Sequence, residues 1–155
     1  LPKYNPVSQE WEIVPNNMGG QHPKYGLPGI NNFFNNYTWW MERHANQLFV
    51  GSMDWLYLFG AYAEDLLDDV PDEIINKLEY FYGADLYRFC SHKLPAHPVS
   101  LSGVGNYTNY GVRTMFSSKI GLILGMANPM NLLTDPEDDI PEGGWEIIKV
   151  TPADN

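Results

Sequence analysis

The densest aromatic stretch of the chain runs from Phe33 to Leu67 and reads FFNNYTWWMERHANQLFVGSMDWLYLFGAYAEDLL. Between positions 33 and 49, six side chains fall on one face at helical spacing: Phe33, Tyr37, Trp40, Met41, His44 and Leu48. This spacing predicts an amphipathic helix over residues 33–49. Residues 53–67 are apolar almost all round, which is typical of a helix that is buried on most sides.

A third helix is predicted over residues 71–91, because Pro71 suits the first turn of a helix and apolar residues again recur at helical spacing. Two other segments, residues 10–14 and 145–150, have the composition of short strands and share the letters WEI. These segments could pair with each other or with neighbouring molecules. We therefore predict an α+β fold, with a compact core of about three helices and a few short strands.

Proline and glycine recur throughout residues 1–30, which predicts an extended arm in place of regular structure. Residues 31–155 are then a single globular domain, of a length that supports one hydrophobic core. The arm is too rich in Trp, Tyr, Ile and Leu to be a solvated linker. It packs either on its own domain or on a neighbouring subunit, and both alternatives stay open.

The chain is acidic, with 19 Asp and Glu against 9 Lys and Arg and a formal net charge of -10. Nucleic acid and anionic lipid both require a cationic surface, so neither is expected as a direct partner. The longest mainly apolar run, residues 50–63, is too short to span a bilayer, so no membrane insertion is expected. Cys90 is the single cysteine, which leaves the compartment open.

No metal or cofactor is predicted. The acidic residues after the second predicted helix lack the spacing and the central glycine of a calcium-binding loop. These residues are Asp65, Asp68, Asp69 and Asp72.

No catalytic signature is present either, so the chain is interpreted as non-catalytic. The residues that a hydrolase would use are Glu42, His44 and the pair Cys90 and His92. Two residues that lie two positions apart do not face each other on a helix, which argues against the pair. A hydrolase with an unrecognised site is the second alternative.

The leading interpretation is a structural or interaction subunit of a larger assembly, such as a virion-like shell or tail. Extended segments bury little apolar area within a small domain, so they often bury it against another subunit. The residues predicted to lie at such interfaces are Trp11, Ile13, Trp145 and Ile147.

The first alternative is a carbohydrate-binding module. Flat aromatic rings stack on sugars, and amide groups hydrogen-bond to hydroxyls. The residues predicted for this role are Trp39, Tyr107, Asn109 and Tyr110.

Overall fold

Nine β-strands and a short 3-10 turn are the regular elements of the computed structural model, which describes residues 2–13, 24–56, 73, 77–78, 81–128, 137 and 145–151. The 3-10 turn spans Gly103–Gly105. The strands are β1 (Pro2–Asn5), β2 (Glu10–Ile13), β3 (Asn35–His44), β4 (Gln47–Asp54), β5 (Leu86–Phe89), β6 (His97–Ser100), β7 (Gly111–Ser118), β8 (Gly121–Ala127) and β9 (Ile147–Val150).

Seven of these strands form a curled antiparallel half-barrel, and β1 and β2 form a separate two-stranded sheet. The order in the half-barrel is β6-β5-β4-β7-β8-β9, with β3 paired to the other edge of β4. The pairing of β4 with β7 consists of a single residue pair, Met53 and Gly111. The half-barrel is therefore two groups of strands that meet at β4 and β7.

The prediction of an α+β fold with a three-helix core is wrong, because the fold is mostly β-sheet. The predicted helix over residues 33–49 is instead β3, a tight turn and β4. Ala45 and Asn46 have positive φ angles of 48° and 60°, as in the turns that join antiparallel strands. Phe49 and Val50 point to opposite faces and are both buried. A strand that is buried on both faces does not alternate between apolar and polar residues. Apolar residues can then recur at spacings of three and four without forming a helix.

The other two predicted helices fall largely outside the described residues, at positions 57–72, 74–76 and 79–80. Where the structure describes these stretches, residues 53 and 54 belong to β4, whereas the backbone is helical at Leu56, Glu73, Lys77 and Leu78. Leu86–Phe89, within the third predicted helix, form β5 between β4 and β6. A four-residue strand with two buried residues has too short a pattern to be distinguished from a helix by spacing.

Residues 2–13, in the predicted extended arm, form the hairpin β1–β2. The rings of Tyr4 and Trp11 pack edge to face at 5.5 Å. Neither strand pairs with the half-barrel in the part of the chain that the structure describes. The two segments that share the letters WEI do not pair with each other, because β2 pairs with β1 and β9 with β8.

The half-barrel consists of two similar units. We call β3, β4 and β5, with β6 at their edge, unit 1, and β7, β8 and β9 unit 2. In unit 1 Gly51 of β4 lies opposite Leu86 of β5, and in unit 2 Gly125 of β8 lies opposite Ile147 of β9. The next three residue pairs follow in the same order in both units, so the two registers are identical.

The hydrophobic core lies between the two units. Its buried members are Phe49, Ala84 and Leu86 from unit 1, and Val112, Met115, Leu122, Leu124 and Met126 from unit 2. At Gly51 the backbone of β4 comes close to β7, because an added Cβ would lie 2.4 Å from Cβ of Val112. Only a glycine permits this approach of the two units.

Candidate functional site

Each unit begins with a loop of the pattern G-x-x-N-x-x-N, at residues 29–35 and 103–109. Ile30 and Val104, the second residues of the loops, both have a φ of 58°, so the two backbones turn in the same way. Oδ1 of the first asparagine, Asn32 or Asn106, accepts a hydrogen bond of 3.0 Å from the backbone N–H two residues later. The loops therefore have the same shape and direct their asparagine side chains alike.

In unit 1 these asparagines meet Asp85, the residue just before β5. We call Asn32, Asn35, Asp54, Asp85 and Tyr87 the Asp85 cluster. Oδ2 of Asp85 accepts hydrogen bonds from the amide of Asn32 at 3.1 Å, the amide of Asn35 at 2.6 Å and the hydroxyl of Tyr87 at 2.7 Å. The amide of Asn32 also donates to Oδ2 of Asp54 at 2.9 Å. Both carboxylates are buried, and these bonds join the loop to β4 and β5.

In unit 2 the same position, just before β9, is held by Glu146, which forms the Glu146 cluster with Asn106, Asn109 and Asn128. Oε1 of Glu146 accepts from the amide of Asn106 at 2.8 Å, and Oε2 accepts from Asn109 at 2.6 Å. The amide of Asn109 also donates to the carbonyl of Gly103 at 3.0 Å, and the loop of unit 1 has the equivalent bond. Oδ1 of Asn109 accepts from the amide of Asn128 at 3.0 Å.

One difference between the two clusters is that Asp54 stands in unit 1 where unit 2 has Asn128. The amide of Asn128 has an N–H to donate, whereas an ionised carboxylate has none. Oδ1 of Asn35, the counterpart of the atom that accepts from Asn128, is buried with no hydrogen-bond partner among the described residues. The Asp85 cluster therefore lacks one donor that the Glu146 cluster possesses.

Burial raises the pKa of Asp54 to about 6, and the neighbouring Asp85 carboxylate adds to the rise. Hydrogen bonds from the backbone N–H of Leu56 and from Asn32 act in the opposite direction. Burial also raises the pKa of Tyr87, and its hydrogen bond to Asp85 adds to the effect. Asp54 thus binds a proton at a higher pH than an ordinary carboxyl group does.

An apolar cavity of about 500 Å³ adjoins the Asp85 cluster, with Asp85 and Tyr87 among its lining residues. Phe34, Leu56 and Leu78 are apolar residues of the same wall. Because both carboxylates are less than 2% exposed, a dissolved substrate has no direct access to them. Chemically, the arrangement holds a loop in place and binds a proton.

Of the four residues predicted for carbohydrate binding, Trp39 and Tyr110 come together, with ring centroids 6.2 Å apart. The guanidinium of Arg113 lies 5.0 Å over the ring of Trp39. Tyr107 is exposed, whereas Asn109 is fully buried in the Glu146 cluster. A sugar hydroxyl would reach Asn109 only by displacing one of its protein partners. Carbohydrate binding stays a prediction.

Three of the residues predicted for interfaces, Trp11, Trp145 and Ile147, have exposed side chains. Trp11 lies on β2 of the hairpin. Trp145 lies just before β9 and Ile147 begins it, and in the described part of the chain β9 is paired on one side only. Ile13 ends β2, and its side chain lies outside the part that the structure describes.

Of the residues predicted for a hydrolase, Glu42 and His44 lie on β3, and the pair Cys90 and His92 follows β5. Nδ1 of His44 is 3.0 Å from Oγ of Ser117, and His44 lines a cavity of about 260 Å³ between the two units. Glu42 accepts a hydrogen bond from the backbone N–H of the next residue at 2.9 Å. Cys90 and His92 line a cavity of about 450 Å³ on the opposite face of unit 1. A hydrolase also stays a prediction.

Within the described ranges, no group of three or more His, Cys, Asp or Glu side chains is placed to hold a metal ion. Asp65, Asp68, Asp69 and Asp72, the acidic residues tested for calcium binding, lie outside those ranges. No helix among the described residues has the length and apolar character needed to cross a membrane.

Residue spacing within single segments predicts neither polar cluster, but the sequence does contain a signal for both. The two G-x-x-N-x-x-N loops are separated by a constant offset along the chain, and the same offset relates later residues of the two units. These later pairs are Leu48 and Leu122, Gly51 and Gly125, and Asp54 and Asn128. A comparison of the sequence with itself would have found the repeat and its asparagines.

Comparison with known proteins found no match. No family model matches the chain, and no curated protein or solved structure gives a significant match. The case for a function therefore rests on the geometry of the chain itself.

Proposed function

We propose that this chain is a non-catalytic structural or interaction subunit of a larger protein assembly, such as a virion-like shell or tail. The hairpin β1–β2 and the strand β9 are its contact elements. The observation that carries the proposal is the exposure of large apolar side chains there, 71% for Trp11 and 66% each for Trp145 and Ile147. Scattered exposed apolar residues are ordinary, but groups of them on a hairpin and an edge strand are typical of interaction sites.

The hairpin supports the proposal through its own weak stability. Tyr4 and Trp11 pack on each other, but both remain exposed, as does Val7 in the turn. A two-stranded hairpin is at best marginally stable in water, because it buries too little apolar surface to offset its conformational entropy. Contact with a partner surface would supply the missing burial.

The strand β9 supports the proposal through its free edge. It pairs with β8 on one side, and its second edge has no strand partner among the described residues. An unpaired edge offers backbone donors and acceptors to an added strand of another chain. Trp145 and Ile147 flank that edge and would be buried by such an addition.

Size-exclusion chromatography with light scattering tests the proposal. We expect the wild-type chain to exceed the monomer mass in a concentration-dependent way, and Trp11→Ser and Trp145→Ser to shift the equilibrium towards monomer. Trp55→Ser is the matched control, because Trp55 is also exposed but lies on neither contact element. A chain that is strictly monomeric at all concentrations would contradict the proposal.

A further inference from the structure

The two faces of each unit can be matched residue by residue, because successive residues of a strand point to opposite faces. Face A carries Phe49, Gly51 and Leu86 in unit 1, and Ile123, Gly125 and Ile147 in unit 2. Face B carries Met41, Leu48 and Val50 in unit 1, and Met115, Leu122 and Leu124 in unit 2.

Inside the molecule, face A of unit 1 packs against face B of unit 2. Phe49 and Leu86 of unit 1 belong to the same buried cluster as Met115 and Leu122 of unit 2. Gly51 removes the side chain at the point of closest approach, where an added Cβ would lie 2.7 Å from Cε of Met115. The contact is head to tail, since it joins two different faces of two equivalent units.

The other two faces carry exposed apolar side chains, although Val50 on face B of unit 1 is buried. On face A, Leu86 of unit 1 is 0% exposed, whereas Ile147 at the same position of unit 2 is 66% exposed. On face B the order is reversed, because Met41 of unit 1 is 59% exposed and Met115 of unit 2 is 4% exposed. At these two positions, each unit thus lacks the cover that its counterpart has.

We propose that face A of unit 2 binds face B of unit 1 in a second copy of this chain, in the same head-to-tail manner that joins the two units internally. The inference rests on the proposed function and names its partner and one of its surfaces. A second copy is the occupant because one chain carries both open faces. The internal contact demonstrates that faces of these two types fit together. A contact between two different surfaces of identical chains is heterologous, so it extends beyond a dimer unless it closes.

The shapes of the open faces suit this contact. Face B of unit 1 borders the cavity of about 450 Å³, whose lining includes Met41, Leu48 and Val50. In the internal contact, the equivalent residues are covered by Phe49 and Leu86. Face A of unit 2 presents their counterparts Ile123 and Ile147, with the exposed ring of Phe116 beside Ile123 on the paired strand.

Gly125 lies on face A of unit 2 at the position that Gly51 has in unit 1, and it likewise has no side chain. It lies between Thr114 and Ile147 in the register of the sheet, with no side chain of its own above the strand. Oγ1 of Thr114 lies beside this position, where an added Cβ would be 2.5 Å from it, so a partner strand would meet a short threonine side chain there. The two chains would repel each other through their net charge of -10, so added salt should strengthen the association.

Two variants that each block one face test the inference. Ile147→Lys places a charge on face A of unit 2, and Met41→Lys places one on face B of unit 1. Both positions are exposed, so the fold is expected to tolerate the changes. We expect each variant alone to be monomeric at concentrations where the wild-type chain is not. An equimolar mixture should form a 1:1 dimer and nothing larger, because one intact face of each kind remains.

Ile120→Lys is the matched control, since Ile120 is 70% exposed in the turn between β7 and β8 and lies on neither face. It should associate like the wild type. Oligomers that persist unchanged in both variants, or a mixture that stays monomeric, would overturn the inference and leave the proposed function in place. A strictly monomeric wild-type chain would overturn the proposed function itself.

Discussion

Asn128 donates its side-chain amide to Oδ1 of Asn109 across 3.0 Å, and the equivalent residues of unit 1, Asp54 and Asn35, have no such bond. The two loops are otherwise held in the same way, by asparagine amides that donate to a carboxylate before the third strand. Unit 1 therefore lacks this donor, although the hydroxyl of Tyr87 gives Asp85 one that unit 2 does not have. A proton on Asp54, or an amide at position 54, would supply the missing donor.

We expect stability to depend on pH through Asp54. Burial raises its pKa from 3.8 to about 6, so the folded chain binds this proton more tightly than the unfolded chain does. The stabilising contribution is about 3 kcal/mol below about pH 4 and is lost as the pH rises from there through 6. Urea unfolding between pH 4.5 and 8 measures the change, and a free energy of unfolding with no component near pH 6 would contradict it.

Asp54→Asn should stabilise the chain by about 1–3 kcal/mol at pH 8, because removing a buried charge and satisfying Oδ1 of Asn35 outweigh the loss of the hydrogen bond that Asn32 donates to Oδ2 of Asp54. The gain should shrink towards pH 4.5, where the wild-type carboxyl group is protonated. The reverse change in unit 2, Asn128→Asp, is the matched control and should destabilise the chain at pH 8. An Asp54→Asn chain less stable than the wild type at pH 8 would refute the equivalence of the two clusters.

Asn109→Ala should destabilise the chain by about 2–4 kcal/mol, because it removes the buried amide that donates to Oε2 of Glu146 and to the carbonyl of Gly103, and the oxygen that accepts from Asn128. Asn36→Ala, at an exposed asparagine of unit 1, is the control and should change stability by less than about 0.5 kcal/mol. Thermal unfolding of the two variants measures the difference. Equal melting temperatures would show that the buried amide does not hold unit 2 together.

Gly51→Ala should destabilise the chain by about 1–3 kcal/mol through overpacking, since its Cβ would clash with Val112 and Met115 across the two units. Gly125→Ala is the matched change on the open face. Its Cβ would meet Oγ1 of Thr114 at 2.5 Å, a side-chain atom that can rotate away, so a smaller loss is expected. Chemical denaturation of both variants tests the order, and a larger loss for Gly125→Ala would contradict it.

Part of the fold was accessible from the sequence. The segments 10–14 and 145–150 have strand composition, and β2 and β9 lie within them. The hairpin β3–β4 was mistaken for a helix because Phe49 and Val50 are buried on opposite faces, which removes the alternation that marks a half-buried strand. The turn at Ala45 and Asn46 lacks the glycine that usually signals a hairpin.

The sequence by itself determined the local structures that depend on neighbouring residues. The strand segments near both ends and the repeated G-x-x-N-x-x-N loops are of this kind, because backbone preferences and asparagine turns act over a few residues. Only the tertiary structure decided which carboxylates accept from the loop amides. It also decided that Asn109 is buried while Tyr107 is exposed, and which face of each unit is covered. These features arise from packing between segments far apart in the chain, and the spacing of residues along one segment carries no information about that packing.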